Sequence, residues 1–181
     1  MKRLVLMVMT AMLLVSCGAS KRVAQKPVPT YTLPGQELLN EPNVIRAWAV
    51  GVSTSEMTAK KKAMTSATSQ LGQMLNSAVQ TTIDSYRVAL EGKDATKSMD
   101  YVSKKITTVS NQVISGARIV FDKWGPKTDQ DMFQNYIVLE LTAEEFFKKF
   151  AESLADAELS GVKVDEQLLK DAFVKAVNAG K

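Results

Sequence analysis

The residue types that most often carry out catalysis are scarce in this chain. Its 181 residues include one Cys and no His. Without an imidazole there is no Ser-His-Asp or Cys-His nucleophilic site and no His-ligated metal. With one Cys there is neither an internal disulfide nor a thiolate cluster for zinc or iron–sulfur. The remaining candidates for chemistry are carboxylates, lysines and hydroxyl groups.

Paired carboxylates occur at Glu144-Glu145, at Asp129 with Asp131 and at Asp165-Glu166. Each pair lies at a predicted helix start or in a loop, where negative charge favours the helix dipole or is solvated. We therefore expect capping rather than acid–base catalysis. The Asp129 loop lacks the other acids and the Gly of a calcium loop. The sequence predicts no catalytic residue, no metal site and no cofactor.

Three consecutive cations, Lys60-Lys61-Lys62, follow the first predicted strand. The plainest interpretation of Lys60, Lys61 and Lys62 is a solvated helix face, and the alternative is contact with anionic polymers or lipid headgroups. A Ser-Lys pair with Ser53 or Ser55 is the one catalytic arrangement that stays open, although the Gly-x-Ser-x-Gly frame of a nucleophile elbow is absent.

The single Cys ends a pattern typical of a bacterial lipoprotein signal. Lys2 and Arg3 form a basic start, and the run from Leu4 to Val15 is almost wholly apolar. A transmembrane helix needs about 20 apolar residues, so this run is too short to span and instead has the length of a signal-peptide core. It ends in Leu14-Val15-Ser16-Cys17, which resembles the lipobox.

The lipobox resemblance implies that residues 1–16 are a signal peptide that is removed. Leu14, Val15 and Ser16 would be read by the processing enzymes, and Cys17 would carry diglyceride and N-linked acyl chains such as palmitate. Two or three acyl chains anchor a protein firmly to a membrane. The alternatives are an ordinary secretory signal and a buried N-terminal helix with an incidental Cys.

The charges near the predicted lipidation site bear on localisation and partners. Gly18, rather than the Asp of many inner-membrane lipoproteins, follows Cys17, and no acid occurs before Glu37. By analogy we expect a bacterial outer-membrane protein that faces the periplasm. The net charge of +4 includes the basic signal start, so it does not indicate nucleic-acid binding.

Residues 17–42 are predicted to be the lipidated Cys and a Pro-rich tether. Pro27, Pro29, Pro34 and Pro42 disfavour regular structure throughout this stretch. In extended form the tether would hold the domain tens of ångströms from the bilayer, at ~3.1 Å per residue.

The hydrophobic pattern from Asn43 onward predicts an α+β domain in the order β-α-α-β-β-α-α. We expect a small, mainly antiparallel three-stranded sheet packed by a long helix and further helices, with the domain over 43–160 and a C-terminal helix within 161–181. The predicted elements are strands at 44–52, 113–124 and 133–141, and helices from the Ser53 cap to about 90, at 95–110, at 143–160 and after Asp165.

Helix starts and the hairpin carry more local expectations. Ser53 with Glu56 and Thr142 with Glu145 have capping-box spacing. Asp165 can cap the last helix, and Gly161 should end the one before it. In the first hairpin strand, simple alternation places Ala117, Ile119 and Phe121 on one face and Arg118, Val120, Asp122 and Trp124 on the other.

Two groups of apolar residues are ambiguous between packing and binding. Trp124 and Phe121 near the hairpin tip form either core or an exposed recognition patch, and we favour core because tip aromatics often fold back over a sheet edge. The methionines of the helical stripe are also expected in the core, with an adaptable apolar groove as the alternative. They are Met57, Met64, Met74 and Met99.

The order of these motifs resembles a known family. Ala49-Val50-Gly51-Val52-Ser53 leads into a helix with Ala59, Ala63 and Ala67, and the hairpin carries Phe121-Asp122-Lys123-Trp124-Gly125. Over residues 43 to 155 the chain resembles the small "twenty-kilodalton" bacterial lipoprotein family, whose domain is similar to the N-terminal module of flagellar assembly protein T. The resemblance implies an envelope lipoprotein with no catalytic residues in the shared motif.

These patterns predict a non-enzymatic, lipid-anchored envelope protein that binds an envelope protein partner or helps an assembly. The membrane contact would be the lipid on Cys17, and the candidate partner contacts are Trp124, Phe121 and the three lysines. The alternative is a periplasmic lipoprotein that holds a lipid or glycan between helix and sheet. That alternative requires an apolar cavity of some hundreds of Å³.

Overall fold

The computed structural model describes residues 33–90, 95–155, 157 and 161–180. The predicted signal peptide with Leu14, Val15 and Ser16, the predicted lipidation site Cys17 and the predicted tether up to residue 32 lie outside these residues. The elements are β1 (Val44–Ser53), α1 (Glu56–Ala89), α2 (Ala95–Ile114), β2 (Arg118–Trp124), β3 (Phe133–Thr142), α3 (Ala143–Ser153) and α4 (Glu166–Ala179). None of the helices in the described ranges has the length and apolar character needed to cross a bilayer.

The strands form one antiparallel sheet in the order β1-β3-β2. β3 is central, and its register with β1 runs without interruption from Val44 opposite Thr142 to Ser53 opposite Phe133. The predicted α+β class, the order of elements and the three-stranded antiparallel sheet are confirmed.

α1 covers one face of this sheet, α2 and α4 pack against α1, and α3 packs against α2 and α4. On that face Ile45, Ala47 and Ala49 of β1 lie beside Leu139 and Ile137 of β3, and all five are buried. α1 crosses above them and buries Ala63, Ala67, Leu71 and Leu75. The space between helix and sheet is therefore filled by packed side chains.

α1 approaches β1 unusually closely at Gly51. A Cβ atom at this position would lie 1.9 Å from the carbonyl oxygen of Ala59 and 2.5 Å from the backbone nitrogen of Ala63. Because Ala59, Ala63 and Ala67 are fully buried, the repeat of alanines is explained by close packing of helix and strand.

α4 is part of the same core, although we predicted the domain to end at residue 160. Phe173 of α4 stacks on Phe146 of α3 with ring centroids 4.3 Å apart. The hydroxyl group of the buried Tyr86 accepts a hydrogen bond of 3.1 Å from the Asp165 backbone, which joins α1 to the start of α4. The boundary at 160 therefore does not separate two packing units.

The other face of the sheet is covered in part by residues 33–42. Trp48 Nε1 donates a hydrogen bond of 2.8 Å to the carbonyl of Pro34, and Arg46 Nη1 donates one of 2.5 Å to the carbonyl of Leu38. Gly35 has a φ of 89° and packs against the Phe121 ring. The sequence predicts a tether up to residue 42, but these contacts show that the packed domain begins before Asn43.

Two of the three predicted helix caps are confirmed. Glu145 N donates to Thr142 Oγ1 at 3.1 Å while Thr142 N donates to Glu145 Oε2 at 3.3 Å, which completes the capping box of α3. Asp165 caps α4 by accepting from Leu168 N at 2.9 Å. The box at Ser53 was wrong, because Ser55 is the N-cap of α1 and makes no side-chain cap bond.

Element ends and one strand face also differ from expectation. α2 continues to Ile114, and α3 ends at Ser153 rather than at Gly161. A β-bulge between Ile119 and Phe121 leaves Val120 unpaired, so the alternation reverses there. Phe121 consequently shares a face with Arg118, and Ile119 shares the helix-covered side with Trp124.

Candidate functional site

The three predicted contact lysines do not form one free basic patch. Lys60 Nζ pairs with Asp122 Oδ2 at 2.5 Å, which ties α1 to β2. Lys62 Nζ donates a hydrogen bond of 3.1 Å to the carbonyl of Val52 at the end of β1. Lys61, between them, is exposed. Two of the three cations are thus engaged within the fold.

Asp122 is the centre of a small polar junction. Its second oxygen accepts a hydrogen bond of 2.9 Å from Asn135 Nδ2, and Asn135 is fully buried on β3. Burial by itself raises the pKa of Asp122, but the hydrogen bonds from Lys60 and Asn135 and the charge of Lys60 outweigh burial and hold the pKa below its usual value. The junction therefore favours an ionised carboxylate, which suits a structural ion pair.

The sequence did not predict a larger ionic cluster that lies on the sheet face opposite α1. Glu140 of β3 is only 5% exposed and receives hydrogen bonds from Arg46 Nε at 2.7 Å and from Arg118 Nη2 at 2.6 Å. Arg46 also pairs with Glu41. Burial lowers the pKa of Arg46, but the bonds and charges of these two carboxylates outweigh burial and raise it. The charges of Arg46 and Arg118 are balanced within the cluster by those of Glu140 and Glu41.

Single charged residues within otherwise apolar strands were the sequence feature that could have indicated this cluster. Arg46 stands among Val, Ile, Ala and Trp, and Glu140 stands between Leu139 and Leu141. Their pairing required the register of β1 on β3, which places Arg46 directly opposite Glu140.

Trp124 and Phe121 lie on opposite faces of the sheet and do not form one patch. Trp124 is 47% exposed and meets Phe133 edge to face at 6.4 Å, so the favoured core placement was wrong for this residue. Phe121 is half-buried beneath Gly35. Ile119 and Val120 are exposed on the same strand as Trp124, and we call Ile119, Val120 and Trp124 the β2 patch.

The methionine stripe divides between core and surface. Met99 is buried and Met64 packs partly against the core, as expected. The core prediction was wrong for Met57 and Met74, which are exposed. Met74 lines an open groove of about 310 Å³ between α1, the start of β1 and the end of α4. The alternative function, a lipid or glycan binder, would need a cavity between helix and sheet, whereas this groove lies at the edge of the fold.

A second groove lies beside the C-terminal end of β1, between the strand and the first turns of α1. Its volume is about 390 Å³, and we call it the β1 groove. Its walls are Val50, Gly51 and Val52 of β1 and Thr58, Lys61, Lys62, Thr65 and Ser66 of α1.

The described residues offer few starting points for catalysis. Among them no three acidic, Cys or His side chains gather where they could hold a metal ion. Ser53 Oγ accepts from the backbone nitrogen of Ser55 at 3.4 Å, while Lys60 and Lys62 bond to Asp122 and Val52. These two lysines are therefore not in place for a Ser-Lys pair.

Comparisons of the chain with family models, with curated proteins and with solved structures returned no match. The family resemblance over residues 43 to 155 therefore stays a prediction.

Proposed function

We propose that this protein is a non-enzymatic bacterial envelope lipoprotein, anchored in the outer membrane by acylated Cys17, whose domain binds an envelope protein. The observation that carries the proposal is the motif Leu14-Val15-Ser16-Cys17 at the end of a short apolar run that follows a basic start. The Cys is the only one in the chain, and it stands at the position where a lipobox requires it.

The β2 patch supports the interaction role. Ile119 and Trp124 are each 47% exposed although they are large and apolar. Large apolar side chains that are exposed on one strand favour an interaction site. The bulge at Val120 and the charged neighbour Lys123 disfavour pairing with another strand. We therefore assign this patch to side-chain contacts with the partner.

Metabolic labelling with a fatty-acid probe tests the anchor. The unaltered protein should take up label, and Cys17→Ala should not. A matched control carries Cys17→Ala together with Ser20→Cys, which restores a thiol outside the lipobox position and should stay unlabelled. Label on Cys17→Ala would refute the lipoprotein assignment.

Affinity purification of the full-length protein from detergent-solubilised envelope tests the interaction role. Trp124→Ala should lower recovery of the bound partner by about tenfold or more, as expected for a central aromatic contact. Val88→Ala is the control, because Val88 is 85% exposed on α1 and outside the β2 patch. Equal recovery with both variants would remove the β2 patch from the interaction.

A second candidate function is binding of a lipid or glycan, favoured by the groove beside Met74. Its volume of about 310 Å³ is near the lower end for small-molecule sites, and Ala78 and Val177 give it an apolar floor. A fluorescent fatty acid should then bind the unaltered protein, and Met74→Glu should weaken that binding. Equal binding by both proteins would argue against this groove.

A further inference from the structure

We propose that the β1 groove binds an extended, acidic segment of a partner protein, which adds as a strand to the outer edge of β1. This inference rests on the proposed interaction role, but it concerns a different surface from the β2 patch and names the chemistry of the partner. Recognition of this kind uses main-chain hydrogen bonds for affinity and side chains for selectivity.

The backbone of β1 is suited to strand addition. Its ten residues pair with β3 without a bulge, and in the part of the chain that the structure describes no strand lies on its other side. The carbonyl of Asn43 points toward β3, since it accepts from Ala143 N at 2.9 Å. The carbonyl of Val52 points the opposite way, since it accepts from Lys62 Nζ.

The orientation of the edge groups follows from these two bonds. In an antiparallel strand the N–H and C=O of one residue point to the same side, and successive residues alternate. Even-numbered residues of β1 therefore present their amides outward. They are Val44, Arg46, Trp48, Val50 and Val52.

α1 supplies the second wall of the groove. Because Gly51 lies directly against Ala59 and Ala63, the helix is held close above β1. The neighbouring helix residues Thr58 and Lys61 then line the space beside the strand. An added strand would lie ~4.8 Å from β1, with alternate side chains directed toward this helical wall.

The charge of the groove selects an acidic segment. Among the described residues that line the groove, Lys61 and Lys62 are charged, and the others are Val, Gly, Thr and Ser. Complementary charge at an interface favours the correct partner and speeds association. Lys62 now donates to Val52; an N–H of the added strand would take this acceptor and release the ammonium group for a carboxylate of the partner.

The probe is a fluorescein-labelled, acetylated and amidated eight-residue peptide that alternates valine with glutamate. Its counterpart has lysine in place of glutamate. By fluorescence anisotropy with the full-length protein in detergent, the acidic peptide should bind at least about tenfold more tightly than the basic one. Lys61→Glu should weaken the acidic peptide by about tenfold, and Lys104→Glu, an equal charge change at an exposed site on α2, should not.

Hydrogen–deuterium exchange locates the bound peptide. The acidic peptide should slow exchange in residues 44–53 and leave residues 118–124 unchanged. Val50→Pro removes an outward N–H that makes no ladder bond to β3, so it should abolish peptide binding while the circular dichroism spectrum is kept. If Val50→Pro does not fold, the comparison of Lys61→Glu with Lys104→Glu still tests whether the peptide binds in the β1 groove.

Several results would overturn the inference. Equal weakening by Lys61→Glu and Lys104→Glu would show that only net charge matters. Slowed exchange in residues 118–124 alone would place the peptide on β2. Binding to phosphatidylglycerol vesicles that depends on Lys61, without peptide binding, would make the surface a membrane contact. Cys17→Ala should bind the peptide as tightly as the unaltered protein. Peptide binding and the lipid anchor are therefore tested independently of each other.

Discussion

Gly51 of β1 and Ala59 of α1 are in backbone contact: a Cβ at Gly51 would lie 1.9 Å from the Ala59 carbonyl oxygen. The same contact holds α1 above the strand whose outer edge forms one wall of the β1 groove. The glycine therefore links the packing of the domain to the surface that we propose for binding.

Gly51→Ala should destabilise the domain strongly. The added methyl group meets backbone atoms of α1, which cannot move without separating helix from sheet, so we expect a loss of about 3 kcal/mol in the free energy of unfolding. Urea denaturation measures it. Gly72→Ala on α1 is the control, with an effect of opposite sign. Its Cβ would lie 3.4 Å from Ile114 Cδ1, which is an ordinary contact with a side chain. A Gly-to-Ala change within a helix stabilises by up to about 1 kcal/mol. Equal effects at both sites would contradict the close contact.

The Asp122–Lys60 pair predicts a pH dependence of stability. The pKa of Asp122 is lowered in the folded state. Between the folded and the unfolded pKa values the unfolded state binds more protons, so the free energy of unfolding rises with pH. The contribution is present above the unfolded-state value of 3.8 and is lost as the pH falls through the folded value. The stability difference between the unaltered protein and Asp122→Asn should therefore shrink below about pH 4.

Urea titrations at neutral and acidic pH measure this difference, with Asp131→Asn as a control for loss of one exposed negative charge. Because Lys60 is 49% exposed, added salt should also reduce the difference at neutral pH. A difference between the unaltered protein and Asp122→Asn that stays constant from neutral pH to pH 3 would be incompatible with the lowered pKa.

Glu140→Gln should be costly because it leaves Arg46 without its buried counterion. The Arg46 side chain is 10% exposed, and breaking a buried ion pair by removing one partner costs about 3–5 kcal/mol. Glu145→Gln is the matched control, since Glu145 is 47% exposed and exposed pairs contribute about 0–1 kcal/mol. Thermal or urea unfolding compares the two, and similar losses would show that the cluster is not buried.

Phe173→Ala should destabilise the whole domain rather than α4 alone. Phe173 is fully buried and stacks on Phe146, and truncating a core Phe to Ala costs about 3–5 kcal/mol. Lys170→Ala, at an exposed position of α4, should change stability by less than about 0.5 kcal/mol. When unfolding of Phe173→Ala is followed by near-ultraviolet circular dichroism, it should remain a single transition, with its midpoint at a lower denaturant concentration than that of the unaltered protein. A separate early transition for α4 would contradict its place in the core.

Periodic and local signals were enough to predict much of the fold. Ala59, Ala63 and Ala67 recur every four residues as on one face of a helix, and all three are fully buried in the long helix that the sequence predicted. The Thr142–Glu145 box depends on neighbouring residues only, so sequence spacing could identify it.

Features that depend on strand pairing could not be predicted in the same way. One extra residue at Val120 reverses the alternation in β2, and alternation alone gives no sign of it. The Arg46–Glu140 pair needs the register across two strands that are 94 positions apart in sequence. The hydrogen bond from the Trp48 indole to the Pro34 carbonyl was missed because prolines predict irregular structure but not where that structure lies.

The lipid anchor is tested most directly by mass spectrometry of the N-terminal peptide of the protein isolated from bacterial envelopes. The account predicts a peptide that begins at Cys17 and carries the mass of a diglyceride, with or without an N-linked acyl chain. An N-terminal peptide that begins at another residue, or an unmodified Cys17 within a longer peptide, would contradict it.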